Sequence, residues 1–166
     1  YIPNMFIATT RFNEKTWQEN SLWRERNEHS GCIYNLSKQI NENIPIDSVL
    51  FILEMNNTKN KIMGIGVIKN RCDPNYHFIY ADQMYNRYTY KSNYRIDRSQ
   101  LTENEKLTIQ RIEYFIFKGY KHLKRGQGIT LLPSQLCHSK GQGNNNTVEY
   151  DKTNYLPFLS SLFKNI

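Results

Sequence analysis

From Val49 to Met55 the chain is apolar at every position except Glu54, and from Ile62 to Ile68 it is apolar again around Gly64 and Gly66. Between the two runs lie Asn56, Asn57, Thr58, Lys59 and Asn60, the composition of a turn. Two continuous apolar arms around a polar turn predict a β-hairpin whose strands are buried on both faces. The glycines inside the second arm leave room for a ligand or another backbone to approach. Upstream, "MFIATT" predicts a strand ending near Thr9, and "NEKTWQENSLWRER" a helix capped by Asn13, with Trp17 and Leu22 spaced to share much of one face. "SGCIY" breaks that pattern, and "NLSKQINEN" predicts a helical turn before Pro45.

Downstream, "HFIYA" reads as a strand, joined near Met84 to "NRYTYKSNYRIDR", residues 86–98, where tyrosines alternate with cations. The period then lengthens. Leu107, Ile109, Ile112, Phe115 and Ile116 fall at helical spacing behind a capping box of Thr102 and Glu105, with Gly119 placed to end the helix. "GITLLP" predicts one more strand, residues 134–153 a flexible loop, and residues 154–164 an amphipathic helix burying Tyr155, Leu156, Leu159, Leu162 and Phe163 on the domain or on a protein partner. With 166 residues, all of this is expected to form a single domain, residues 1–166.

Charge sharpens the picture. The net charge is +7, and between residues 84 and 125 ten Lys/Arg stand against Asp97, Glu103, Glu105 and Glu113. A cationic stretch so concentrated points to a polyanion, nucleic acid before a membrane surface. Two segments carry it. In the 86–98 strip, Arg87, Lys91, Arg95 and Arg98 are candidates to neutralise phosphates, and Tyr88, Tyr90 and Tyr94 offer ring faces to unpaired bases; the same alternation also suits an exposed edge strand. In "FKGYKHLKRGQGIT", Lys118, Lys121, Lys124 and Arg125 surround Gly119, Gly126 and Gly128, which fits either a phosphate-holding loop or a helix end with a basic turn. No strand precedes these glycines and no GK[ST] follows, so a nucleotide-fold motif is excluded. Trp17 and Trp23 are six apart and diverge around the helix; Trp23, beside Arg24, Glu25 and Arg26, is the expected pocket wall with Trp17 behind it.

The chemistry of sites adds little. Cys32, Cys72 and Cys137 lack CxxC spacing, so reduced thiols in an intracellular compartment are expected, cytoplasm or nucleus. His29, His77, His122 and His138 form no metal-ligand pattern, and no metal or cofactor is expected. No run approaches the roughly 18 apolar residues of a membrane span. Asn35, Asn56 and Asn145 head Asn-x-Ser/Thr triplets, which an asparagine-rich chain yields by chance.

The order of a strand through Phe6 to Thr9, a helix with Trp17 and Trp23, and a hairpin of Val49–Glu54 and Gly64–Val67 resembles the PUA-like superfamily, notably its YTH and EVE branches. The likeness covers about the first seventy residues in motif and the remainder in element order. It implies an α+β fold: a small, twisted, partly closed β-barrel with helices packed on its outside and a cleft where an aromatic side chain receives one base. YTH domains hold a methylated adenine of single-stranded RNA in an aromatic cage, and EVE domains are associated with modified bases. This chain has no tryptophan after Trp23, so a second cage wall would be tyrosine, from Tyr80, Tyr85 or Tyr88.

The expected function is therefore binding of single-stranded or unpaired nucleic acid, RNA before DNA. Arg87, Lys91, Arg95, Arg98, Lys121, Lys124 and Arg125 are expected on the backbone, and Trp17, Trp23, Tyr85, Tyr88 and Tyr94 around the bases. Two alternatives remain: a protein-interaction module using the terminal helix, and an amidohydrolase of the ASCH type, which the resemblance would build from Thr9 or Thr10, Lys15 and Glu54.

Overall fold

The computed structural model describes residues 4–133, 138–142 and 148–164, with the backbone alone for 138–142 and 148–154. Its centre is the predicted hairpin. β3 (Val49–Asn56) and β4 (Lys61–Lys69) pair antiparallel around Asn57–Asn60, with a register shift between Leu53 and Met55. β1 (Met5–Phe12) lies parallel to β3. β6 (Tyr94–Asp97) extends the sheet beyond β4, and β7 (Thr130–Leu131) beyond β1, giving the order β6-β4-β3-β1-β7.

Alternation along β1 and β3 separates two cores. Ala8, Phe12, Leu50 and Ile52 face one side, where they pack with Trp17 of α1 (Glu14–Arg26), with Ile33 and Tyr34 of β2 (Cys32–Leu36) and with Tyr90 of β5 (Tyr88–Ser92). Ile7, Phe51, Leu53 and Met55 face the other, against Ile109, Ile112 and Ile116 of α2 (Glu103–Phe117) and Tyr155 and Leu159 of α3 (Tyr155–Ser161). A sheet covered on both faces needs apolar residues at consecutive positions, which explains why the hairpin arms show no polar alternation.

The helix starts fall where the capping residues place them. The Asn13 side chain accepts from the Thr16 amide at 2.8 Å and Thr102 from the Glu105 amide at 3.2 Å, each closing a reciprocal box. Gly119, at φ 77°, follows the end of α2. Leu22 and Leu107, which fall in the helical spacing of α1 and α2, are exposed at 42% and 55%.

Several expectations are corrected. Cys32–Leu36, across "SGCIY" and the start of "NLSKQINEN", is strand β2, all buried and paired antiparallel with β5, while the turn before Pro45 is a single one in which the Ile44 amide donates to the Asn41 carbonyl at 3.0 Å. "HFIYA" is not a strand. Asn86 takes the place of a neighbouring strand there, its Oδ1 accepting from the Ile79 and Tyr80 amides and its Nδ2 donating to the Tyr80 carbonyl. The 86–98 strip divides at Asn93 into β5 and β6, which belong to different sheets. Within 134–153, His138–Gln142 (β8) pairs antiparallel with Val148–Asn154 (β9), where only a loop was expected. The described strands form an open five-stranded sheet and two-stranded pairs, so the α+β class holds while no closed barrel is seen among the described residues.

The room left by Gly64 and Gly66 is filled from within. A Cβ on Gly66 would overlap the Tyr34 hydroxyl and lie 2.8 Å from Cys32 Sγ; one on Gly64 would lie 2.6 Å from Arg95 Nη2 and 2.9 Å from Glu54 Oε1. Gly66→Ala is expected to destabilise the fold by about 1–3 kcal/mol, measured by urea denaturation, because the tyrosine it displaces is fully packed.

Candidate functional site

A cavity of about 300 Å³ opens where the end of β1, the start of α1, β2 and the glycine loop after α2 meet. Its aromatic walls are Phe12, Tyr34, Tyr80 and Tyr85, and its polar lining includes Arg11, Asn13, Asn57 and Gln127. Among the described residues no carboxylate lines it, and Arg11 is its sole charge.

Arg11 is held by neutral oxygens. Nη1 donates to Thr9 Oγ1 and the Leu123 carbonyl, both at 3.0 Å; Nη2 donates to the Gly128 carbonyl at 2.8 Å and Thr130 Oγ1 at 2.9 Å. Burial pulls its pKa down to about 10, so the group remains a cation at neutral pH. Gly126 lies on the face of the guanidinium, where a Cβ would come within 2.8 Å of Cζ. Asn57 ties the same loop between those two carbonyls, Nδ2 donating to the Lys124 carbonyl at 2.9 Å. Thus Arg11 and Asn57 fix a loop that has no helix or strand of its own between Lys118 and Ile129. Arg11 Nε and Asn57 Oδ1 are buried without hydrogen-bond partners among the described residues, leaving one donor and one acceptor unsatisfied in the cavity wall.

Tyr34 connects this cavity to a charged cluster behind it. Its hydroxyl donates to Glu54 Oε2 at 2.6 Å, and burial, reinforced by the Glu54 charge, holds its pKa well above the tyrosine range. Glu54, 2% exposed, also accepts from Arg95 Nη2 at 2.7 Å and from Arg95 Nε at 3.1 Å to each oxygen. Burial opposes the Arg95 charge, yet Glu54 outweighs it and raises the pKa. The guanidiniums of Arg95 and Arg24 lie over the Trp17 ring, 5.5 and 5.2 Å from its centroid.

The expected site residues are therefore dispersed. Arg95 is inside the Glu54 cluster and Trp17 beneath it. Arg98 pairs with Glu113 at 2.8 Å, tying β4 to α2, and Lys91 stands 4.0 Å from Asp73. Trp23 is half-buried against His29 and His77 and does not line the cavity. Tyr88 is half-buried under Arg87, whose Cζ is 5.6 Å from its ring centre, and Tyr94 is exposed on the edge strand β6. What does converge is Tyr85 with the loop of Lys121, Lys124 and Arg125, through Gly126–Gly128. Among the described residues Arg87, Lys118, Lys121, Lys124 and Arg125 make no ion pair, as the salt bridges fall on other cations. Arg11 and Tyr34 belong to no motif; the one sign of Arg11 is a cation following the apolar run "MFIATT".

Other sequence features are placed as well. Thr9 bonds Arg11 and Thr130, Glu54 has both oxygens occupied, and Lys15 is exposed. Asn35 and Asn56 are buried; Asn145 and Cys137 lie outside the described residues. No cluster of three potential metal ligands occurs among the described residues, and no described helix is long and apolar enough to cross a membrane. Comparison with protein-family models, with curated proteins and with solved structures found no match to the chain.

Glu54→Ala is expected to destabilise the protein by about 3–5 kcal/mol, since it leaves the buried Arg95 with Asp97 alone, 3.1 Å away and partly exposed, as its carboxylate partner among the described residues, whereas Glu54→Leu combined with Arg95→Met recovers only part of that loss in the same denaturation experiment, the Tyr34 hydroxyl having lost its acceptor.

Proposed function

We propose that this protein is a PUA-like domain that binds single-stranded or locally unpaired nucleic acid, RNA in preference to DNA. One base enters the tyrosine-lined cavity, and Lys118, Lys121, Lys124 and Arg125 hold the adjoining phosphates. The observation that carries this reading is the junction of an aromatic, carboxylate-free cavity with a loop of unpaired cations at Gly126–Gly128. A cavity of about 300 Å³ is at the small end for ligand sites, suited to one ring system rather than a length of polymer. A base presents π-faces to Phe12, Tyr34, Tyr80 and Tyr85, and its edge offers the donors and acceptors that Asn13, Asn57 and Gln127 match.

Arg11 adds a fixed positive potential at the cavity, assisted by the N-terminus of α1, whose capping residues Asn13 and Thr16 also line it. Arg87, exposed above Tyr88, extends the cationic margin beyond Tyr85. Arg95 and Arg98 act in this scheme as framework, because their carboxylate partners already neutralise them.

The test is anisotropy titration of a short labelled single strand at several salt concentrations. Lys124→Ala with Arg125→Ala should weaken binding and reduce the slope of log K against log salt by about 1–2. Tyr85→Ala, at a ring already 46% exposed, should cost about 1–3 kcal/mol of binding and leave the slope unchanged. Full affinity in both variants would remove this assignment.

A further inference from the structure

A second hollow adjoins the first. It has a volume of about 490 Å³ and is lined by Phe6, Lys38, Ile44, Ile129 and Leu131 among others, and Gln127 belongs to the walls of both. Gln127 is exposed on the crest between them, flanked by Gly126 and Gly128. The glycines keep that crest low, and Gly128 sits at φ 70°, a conformation other residues adopt at a cost. The Lys38 side chain runs past it: a Cβ on Gly128 would lie 3.7 Å from Lys38 Cε. Among the described residues Lys38 makes no ion pair, and the second hollow, like the first, has no carboxylate in its lining.

We propose that the two hollows take two successive nucleotides of one unpaired strand, with the linking phosphate over Gln127 and held by Lys38. This rests on the nucleic-acid reading above and adds to it a second subsite and a minimum ligand. A single strand repeats ring, phosphate, ring; the surface here repeats hollow, crest with cation, hollow. The second hollow differs in kind from the first. Its floor is aliphatic, with Ile44 and Ile129 buried and Leu131 41% exposed, and Phe6 supplies an aromatic wall. It therefore offers apolar cover and a ring contact, and the amides of Gln39, Asn41 and Asn43 in its lining can meet a base edge as Asn13 and Asn57 can in the first hollow. Lys38 complements both, because a point charge on a flexible stem holds a phosphate without reading sequence.

The experiment is competition against the labelled single strand by nucleoside monophosphates and by the matching dinucleoside monophosphates, each with wild type, Lys38→Ala and Leu131→Trp. On wild type the dinucleotide should compete about tenfold better than the mononucleotide, the increment of one further stacked base and its phosphate. Lys38→Ala should remove a severalfold part of that advantage, and Leu131→Trp, which fills the second hollow from an exposed position, should abolish it. Mononucleotide competition should be the same in all three proteins. Equal competition by mono- and dinucleotide on wild type, with the labelled strand bound, overturns the second subsite and leaves the single-base reading standing. An advantage that survives both variants also overturns it. A labelled strand that wild type fails to bind overturns both.

Discussion

A carboxylate in the most apolar strand of a protein must be neutralised where it stands, and Glu54 sets that demand here. Arg95 meets it through hydrogen bonds to both oxygens, Tyr34 through the shortest contact to Oε2. The consequences spread outward. Arg95 reaches Glu54 from β6 across β4, so β4 must be bare at the crossing, and Gly64 stands there; Tyr34 needs the same clearance at Gly66. The paired guanidinium then lies over Trp17, which fixes α1 against this side of the sheet. Buried ion pairs are weak as net stabilisers yet costly to break, so they enforce one arrangement over its near alternatives. Here that arrangement decides which way β2, α1 and β6 face.

The cavity inherits its shape from this cluster and its floor from Arg11. Tyr34 has its hydroxyl in the Glu54 cluster and its ring in the cavity wall, so the wall cannot rotate without unpairing a buried carboxylate. Arg11 plays the reciprocal part on the loop side, collecting the carbonyls of Leu123 and Gly128. A loop rich in glycine and lysine has little reason to order itself, and the two anchors supply that order from the sheet. On the proposed reading, preorganisation of this kind lowers the cost of binding, since the backbone that carries the loop's cations is set before any ligand arrives.

Much of the fold was legible from local pattern. The β3–β4 hairpin, the caps at Asn13 and Thr102, the glycine after α2 and the terminal helix each depend on neighbours within a few residues. What local pattern missed depends on distant partners. β2 is buried on both faces, so Cys32–Leu36 show no alternation; the backbone of residues 79 and 80 bonds the side chain of Asn86, and the His77 carbonyl that of Asn35, rather than a strand. The abundance of asparagine, readable as compositional bias, turns out to include structural parts: Asn20, Asn35, Asn56, Asn70 and Asn86 are buried with their amides satisfying other groups. The candidate site was half legible. Tyr85 and the 118–128 loop stand out by composition, whereas Arg11 and Tyr34 acquire meaning only from three-dimensional neighbours.

The same distinction corrects how the charge is read. The stretch from 84 to 125 concentrates cations, but a charge already paired with a carboxylate releases few counterions when a polyanion binds. Arg95 and Arg98 are spent on Glu54 and Glu113, and Lys91 is near Asp73. The cations of that stretch without such partners among the described residues are Arg87, Arg111, Lys118, Lys121, Lys124 and Arg125; these are the ones free to answer an external phosphate, and four of the six lie on one loop, with Arg111 apart on α2. Net charge therefore marks the right quarter of the chain, while burial and pairing decide which residues in it face outward. The electrostatic surface is narrower than the sequence implies, and it sits beside a cavity whose charge is an arginine with no acid among the described residues to answer it.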